Sequence, residues 1–244
     1  GMWLPMLIKR LNMAEMQAYG LKLTAEELYE IHNASVKDAN VSLGGFCTGG
    51  IISDQGLMLT NHHCGYDDIR SHSTVENDYL TDGFWAMTRE EERTNPGLTA
   101  AILVRMEDVT DKVMAELTDE MSEAKRAAKA KEIGDALAKE ATDGTVHNAY
   151  VRSFFHNNEY YLFVFNTYKD VRLVGAPPSS IGKYGGDTDN WMWPRHTGDF
   201  SMFRIYADEE GSPSEVMDSN VPLTPKHHLP VSLNGVKEGD FSMV

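Results

Sequence analysis

The sequence predicts a mainly β fold with one helical insertion. Three observations carry that expectation. Short runs rich in aromatic and β-branched residues recur, as in Tyr150 to Phe155 and Tyr160 to Tyr168. Turn residues separate such runs, Asp54-Gln55-Gly56 early in the chain and Asn157-Asn158 late. One long stretch, 111–142, has the helical period instead: Met114, Leu117, Met121, Ala124 and Ala128 fall on a single stripe.

Taken in order, Thr24-Ala25-Glu26-Glu27 has the form of a capping box. Leu28 and Ile31 follow at helical spacing, which predicts a short helix over 24–33. Gly44 to Ser53 reads as a glycine-rich strand and Leu57 to Thr60 as its partner, a hairpin that ends at Asn61-His62-His63-Cys64. Residues 67–98 are polar with scattered aromatics and predict surface loop and short helix. Ala100 to Val109 predicts a strand. The 111–142 region predicts a helix or helical hairpin, stopped by Thr142-Asp143-Gly144. Strands are expected again over Tyr150 to Phe155, Tyr160 to Tyr168, Val171 to Val174 and Phe200 to Tyr206, with Gly175 to Asp189 as loop. Near the end, Asn234-Gly235 and Glu238-Gly239-Asp240 are turns around Val231-Ser232-Leu233. Phe241 onward reads as the start of a new strand, an odd place for a domain to finish.

Composition sets outer bounds. The 244 residues are 41% hydrophobic and 24% charged, enough for a sizeable core and unlike a disordered chain. A formal net charge of −15 argues against a nucleic-acid binder, which normally presents a basic face. No run approaches the roughly 18 apolar residues of a membrane-spanning helix. Gly1 before Met2 has the look of a residue left by tag cleavage, so the lack of a secretory leader in Gly1 to Leu7 says little about location.

Chemistry concentrates in two places. The first is the hairpin end. Acyl transfer by a serine needs a base able to take the hydroxyl proton near neutral pH, and histidine suits that task. A histidine just past a buried strand is both rigidly held and accessible. Cys64 follows His63, and Cys47 begins the partner strand, so antiparallel pairing would bring the two sulfurs together. A disulfide there would clamp the base of the loop carrying the histidine, at a worth of about 3 kcal/mol, and would imply an oxidising compartment. His62, His63 and Cys64 as zinc ligands is the poorer reading, because adjacent residues rarely face one metal and no second ligand cluster is evident. No metal or cofactor is expected.

The segment Gly-Gly-Ile-Ile-Ser-Asp-Gln-Gly-Leu-Met-Leu-Thr-Asn-His-His-Cys (49–64) resembles the catalytic-histidine segment of the trypsin-like superfamily. By position, that resemblance makes His63 rather than His62 the base. The order His, Asp, Ser of such enzymes then calls for an aspartate just before a strand, to hold the base's tautomer and stabilise its imidazolium. Asp199 fits, between Gly198 and the alternating run Phe200 to Tyr206. Asp187 and Asp189 compete, but they sit in a Gly-Gly-Asp-Thr-Asp loop where turn chemistry is the simpler account.

The run Asp189-Asn190-Trp191-Met192-Trp193-Pro194-Arg195-His196-Thr197-Gly198-Asp199-Phe200 is more specific than any one residue. With residues 49–64 and the opening Gly1-Met2-Trp3-Leu4-Pro5, it resembles the bacterial serine dipeptidyl-peptidases of the type-7 and type-11 family, over essentially the whole chain. The resemblance implies a chymotrypsin-like double β-barrel with a large inserted helical domain, a homodimer, a signal peptide in the precursor and a periplasmic or secreted location. It implies oligopeptide substrates that lose dipeptides from a free N-terminus. It makes His63 the general base, Asp199 its orienter, and Asn190 and Trp191 the holders of the substrate α-amino group. Trp193 is assigned to core packing, and His196 is the one other histidine of interest because of its place in the Trp-rich run.

No Gly-Asn-Ser-Gly-type nucleophile loop is present. Gly211-Ser212-Pro213-Ser214 lacks the glycine needed after the serine. The chain is therefore read as the N-terminal part of the peptidase domain, with the remainder and the large helical domain absent, and inactive alone. Two further readings stay open: another trypsin-like endopeptidase, and a non-catalytic peptide-binding module. The 136-residue separation of His63 from Asp199 weighs against a compact trypsin-like enzyme, since it requires an insertion.

Overall fold

The computed structural model describes residues 4–189, 192, 193 and 196–242, and of Asp187 and Asp189 the backbone alone. Among these residues, eleven strands form one antiparallel sheet: β1 (Asn40–Leu43), β2 (Cys47–Ile51), β3 (Leu57–Thr60), β4 (Phe84–Trp85), β5 (Arg93–Thr94), β6 (Ala100–Asp108), β7 (Asn148–Phe154), β8 (Glu159–Tyr168), β9 (Asp170–Ala176), β10 (Ser201–Ala207) and β11 (Val221–Pro222). The pairing path runs β4-β9-β10-β3-β2-β1-β6-β8-β7, with β11 beside β10 and β5 beside β9. The molecule is thus mainly β, a large antiparallel sheet dressed with helices.

Alternation builds the main core. On β10, Phe203 and Ile205 are fully buried. They meet Val41, Leu43, Ile51, Met58 and Leu173 from the neighbouring strands and Ile69 from the helix Tyr66–Ser71. Each such side chain contributes about 1.5–3 kcal/mol by leaving water. The 111–142 region is two helices, Thr110–Met114 and Glu123–Thr142. Their apolar stripe packs Val113, Ala130 and Ile133 onto Tyr160, Leu162 and Val164 of β8. A separate small cluster, Met16, Leu21 and Leu28 with Phe241 against it, joins the start of the chain to its far end.

The turn at Asp54-Gln55-Gly56 closes the β2–β3 hairpin. Gly56 has φ +67°, and a Cβ there would lie 2.7 Å from the Ile205 carbonyl oxygen, so no larger residue fits. The capping box forms at Thr24 and Glu27, but the helix it starts covers Ala25–Leu28 alone.

Several expectations change. Gly44 and Gly45 are a left-handed turn (φ +59° and +78°) between β1 and β2 rather than strand, because the preceding residues 40–43 pair with both β2 and β6. Helical turns over Pro5–Leu7, Ile8–Leu11 and Met13–Ala18 precede the first predicted helix; they lack side-chain caps and are too short to show a period. Strands β4 and β5 arise inside the stretch read as loop and helix, as two-residue additions to β9. The stretch read as loop after β9 contains two helical turns, Ser179–Gly182 and Gly186–Asp189. Phe241 and Ser242, read as the start of a strand, belong to none; the late strand is β11.

Candidate active site

Two strand ends build the site. β3 and β10 pair antiparallel with Thr60 opposite Ser201. Residues just after β3 therefore lie against residues just before β10, which places Asn61 to His63 beside Asp199. The junction is bonded from both sides. The Ser201 hydroxyl donates to the Asn61 carbonyl at 2.7 Å, and the Asn61 amide donates to the Asp199 carbonyl oxygen at 3.3 Å and to Oδ2 at 3.2 Å.

Within this frame, His63 Nδ1 lies 2.7 Å from Asp199 Oδ2, and the His63 backbone N–H donates to Asp199 Oδ1 at 3.1 Å. One carboxylate thus grips both the ring and the main chain of one histidine. The imidazole stays open, with 69% of its side-chain surface exposed, while Asp199 is 25% exposed. Partial burial works against ionisation of Asp199. The hydrogen bonds from the His63 backbone and ring, with the His63 charge, outweigh it and hold the carboxyl below the ordinary aspartate value. An ionised Asp199 accepting at Nδ1 keeps the proton on that nitrogen and leaves the Nε2 lone pair facing outward, which is the state a general base requires.

The adjacent histidine points the opposite way. His62 is 1% exposed, its ring flat against Gly182. Burial pushes its imidazole below the ordinary histidine value, with a hydrogen bond to the Pro177 carbonyl pulling partly back. The turn over residues 62–64 that follows β3 sends the two rings apart, so one histidine of the pair is buried and the other is presented.

Cys47 and Cys64 are joined by a disulfide with Cα atoms 6.1 Å apart, tying the residue after His63 to the start of β2. The Thr60 hydroxyl donates to the Thr48 carbonyl at 2.8 Å beside it. Ligand atoms of Cys47, His63 and Cys64 lie within 4.8 Å of one another, but bonded sulfurs carry no thiolate to offer a metal.

Other candidates fall elsewhere. Asn190 and Trp191 lie outside the described residues, and Asp187 and Asp189 occupy the helical turn Gly186–Asp189. Trp193, expected in a core, is 85% exposed. His196 packs edge-on to Tyr184 with ring centroids 6.3 Å apart. Ser212 and Ser214 are engaged away from the dyad: the Ser212 N–H donates to Asp208, and the Ser214 hydroxyl bonds Asn220. Asn61, which stood unassigned inside the Thr-Asn-His-His-Cys run, proves to be part of the Asp199 cage. A second omission is the aromatic pair Trp85 and Phe200, 6.1 Å apart between centroids, which brings the 67–98 stretch beside the residue after Asp199.

Known proteins of this kind can now be compared. The family model for peptidase S46 matches residues 1–244. The chain is 50% identical over 247 residues to an Asp/Glu-specific dipeptidyl-peptidase of Capnocytophaga gingivalis, covering 100% of this chain and 34% of that protein. It is 49% identical over 244 residues to dipeptidyl-peptidase 7 of the same organism, again covering 100% and 34%. Among solved structures, Porphyromonas endodontalis DPP11 in complex with the dipeptide Arg-Glu superposes with a TM-score of 0.86 at 46% identity, over 98% of this chain and 36% of that one. The chain spans about a third of the length of the curated relatives it matches.

Proposed function

The chain belongs to the peptidase S46 family, and from that premise we propose that it carries the general base, His63, and the orienting carboxylate, Asp199, of a serine dipeptidyl-peptidase. The single observation behind the roles is the double grip of Asp199 on His63, ring and backbone, at the register-locked ends of β3 and β10.

In this reading Nε2 of His63 takes the proton of a serine hydroxyl as its oxygen attacks the carbonyl of the substrate's second peptide bond. It then returns the proton to the leaving amine, and Asp199 stabilises the imidazolium between the two steps. The nucleophile and the oxyanion donors belong to the part of the relatives' length that these 244 residues do not span. By themselves these residues would then lack turnover. Asn190 and Trp191 would hold the substrate's α-ammonium through an amide oxygen and an indole face, the latter worth about 0.5–2 kcal/mol. Anchoring the terminus sets which bond reaches the serine, and so yields dipeptides.

The same proposal includes a chymotrypsin-like double β-barrel with a large helical domain in the whole protein, a homodimer, and a periplasmic or secreted location. The Cys47–Cys64 bridge supports an oxidising compartment. Relatives named for Asp/Glu specificity and for type 7 are equally close, at 50% and 49% identity, so choice of the residue at the cleaved bond is assigned to the portion not spanned.

The test is an assay of the full-length protein on dipeptidyl fluorogenic substrates with free and with blocked N-termini, with and without His63→Ala. Cleavage of the free form that vanishes in the variant is expected. Cleavage of the blocked form would favour an endopeptidase, and cleavage that survives His63→Ala would end the mechanism.

A further inference from the structure

The residues before Asp199 are held by a short helical turn, Ser179–Gly182. Asp199 is reached from the His63 side by the chain itself, and from the other side through residues 197 and 198. The Thr197 hydroxyl lies 3.1 Å from the Ile181 carbonyl oxygen and 3.0 Å from the Gly182 carbonyl oxygen, and the Gly198 N–H donates to Ile181 O at 2.9 Å. The helical turn Ser179–Gly182 is therefore the anchor for the two residues before Asp199. What sets the height of that turn is the His62 ring. A Cβ on Gly182 would lie 2.4 Å from both Cγ and Cδ2 of His62, so ring and turn are in closest packing. On its other side, Gly198 is also close to the turn: a Cβ there would lie 2.9 Å from Ile181 Cγ2.

We propose that His62 is a positioning residue, a buried wedge that fixes the Ser179–Gly182 turn and through Thr197 and Gly198 seats Asp199 against His63. The contacts close a ring: His62 to Gly182, Ile181 to Gly198, Asp199 to His63, and His63 back to His62 through the peptide bond. Each link is a contact of closest packing or a hydrogen bond, so a displacement at His62 reaches Asp199 with little slack. The charged groups facing the wedge are Asp199 and His63 themselves. Burial lowers the His62 imidazole below the ordinary histidine value, so the ring takes on a charge beside Asp199 and His63 less readily. Nε2 of the ring is buried without a protein partner among the described residues. The ring's polar atoms thus do less than its shape, as befits a wedge.

The inference rests on His63 and Asp199 being the working pair, and its test separates the two ideas. Two variants of the full-length protein suffice. Thr197→Val removes the hydroxyl that holds the turn without changing the size of the side chain. His62→Asn keeps an amide donor for the Pro177 carbonyl but removes the ring. Each should lower kcat on a dipeptidyl substrate by about 10- to 100-fold, the scale expected of a small misplacement of a reacting group. KM should stay within about twofold, and the acid limb of kcat/KM should move to lower pH as the carboxylate shifts off the base. The double variant should lose little more than the worse single one, because both act through the same turn.

The His63 Nδ1 proton gives a readout free of turnover. Its low-field NMR resonance should be present in the parent protein and displaced or lost in both variants. A Thr197→Val protein with unchanged kcat and an unchanged low-field resonance, and merely a lower Tm, would overturn the wedge. Full activity in His63→Ala would instead overturn His63 as the base, and the resonance would then decide the wedge by itself.

Discussion

Thr60 and Ser201 stand directly opposite each other in the β3–β10 ladder, and this one register decides which carboxylate meets His63. A slip by one residue would turn the histidine and the aspartate to opposite faces of the sheet. The Ser201 hydroxyl on the Asn61 carbonyl and the Asn61 amide on Asp199 lock the register where pairing ends. His63 and Asp199, 136 residues apart in sequence, are thereby as rigidly related as neighbours on one strand.

The Asp199 carboxylate should be worth far more than its charge. In Asp199→Asn an amide N–H faces Nδ1 and drives the proton to Nε2, removing the lone pair that a base needs. In the full-length protein we expect kcat on a dipeptidyl substrate to fall by on the order of 10⁴-fold with KM little changed, the effect of the same swap in a Ser-His-Asp triad. A loss under tenfold would mean that Asp199 does not set the tautomer.

The bridge should stabilise more than it catalyses. Peptide mapping without reductant should recover the Cys47 and Cys64 peptides linked. Replacing both residues by serine should lower the free energy of unfolding of this part of the protein by about 2–4 kcal/mol, read from urea transitions. An unchanged midpoint would show that the hairpin and the Thr60–Thr48 hydrogen bond hold the loop unaided.

Where the sequence was legible, one local signal sufficed. The capping box at Thr24, the turn at Gly56 and the aromatic and β-branched run of β8 each needed a few consecutive residues. What stayed hidden depends on partners far away. Strands β4 and β5 are two residues each and exist because β9 offers an edge. Asn40 to Leu43 is a strand because both β2 and β6 claim it, while Gly44 and Gly45, read as the start of the next strand, make the turn. At the site, the position of His63 beside Cys64 was readable from the motif. The burial of His62 was not, because it is decided by Gly182, more than a hundred residues later and carrying no side chain to leave a signal.

Acid should weaken the dyad's contribution to stability. The folded-state value of Asp199 lies below its ordinary value of 3.8, so the folded protein binds the carboxyl proton less readily than the unfolded chain. The sign follows: the contribution is complete above the unfolded value and is lost as pH falls through the lower folded one. Comparing Asp199→Asn with the parent protein, the difference in stability should be flat near neutrality and shrink below about pH 4. A difference that grows on acidification would contradict a depressed carboxyl.

The strongest structural prediction lies away from the dyad, at Glu92. Its carboxylate is buried and accepts from Arg204 Nε at 2.8 Å and from the Tyr206 hydroxyl at 2.8 Å, both on β10, the strand that begins just after Asp199. Arg204 also donates to the Gln55 carbonyl at 2.8 Å, in the turn of the β2–β3 hairpin. Glu92 therefore holds the side chain of Arg204, whose own hydrogen bond ties β10 to the hairpin that delivers His63. Glu92→Ala leaves a largely buried guanidinium without its counter-charge and should cost about 3–5 kcal/mol. Glu92→Leu combined with Arg204→Met removes both charges and should recover most of that loss, because a well-packed apolar pair can replace a buried ion pair at little net cost. Equal destabilisation of the single and double variants in urea unfolding would show that the pair's geometry, rather than the uncompensated charge, is what β10 requires.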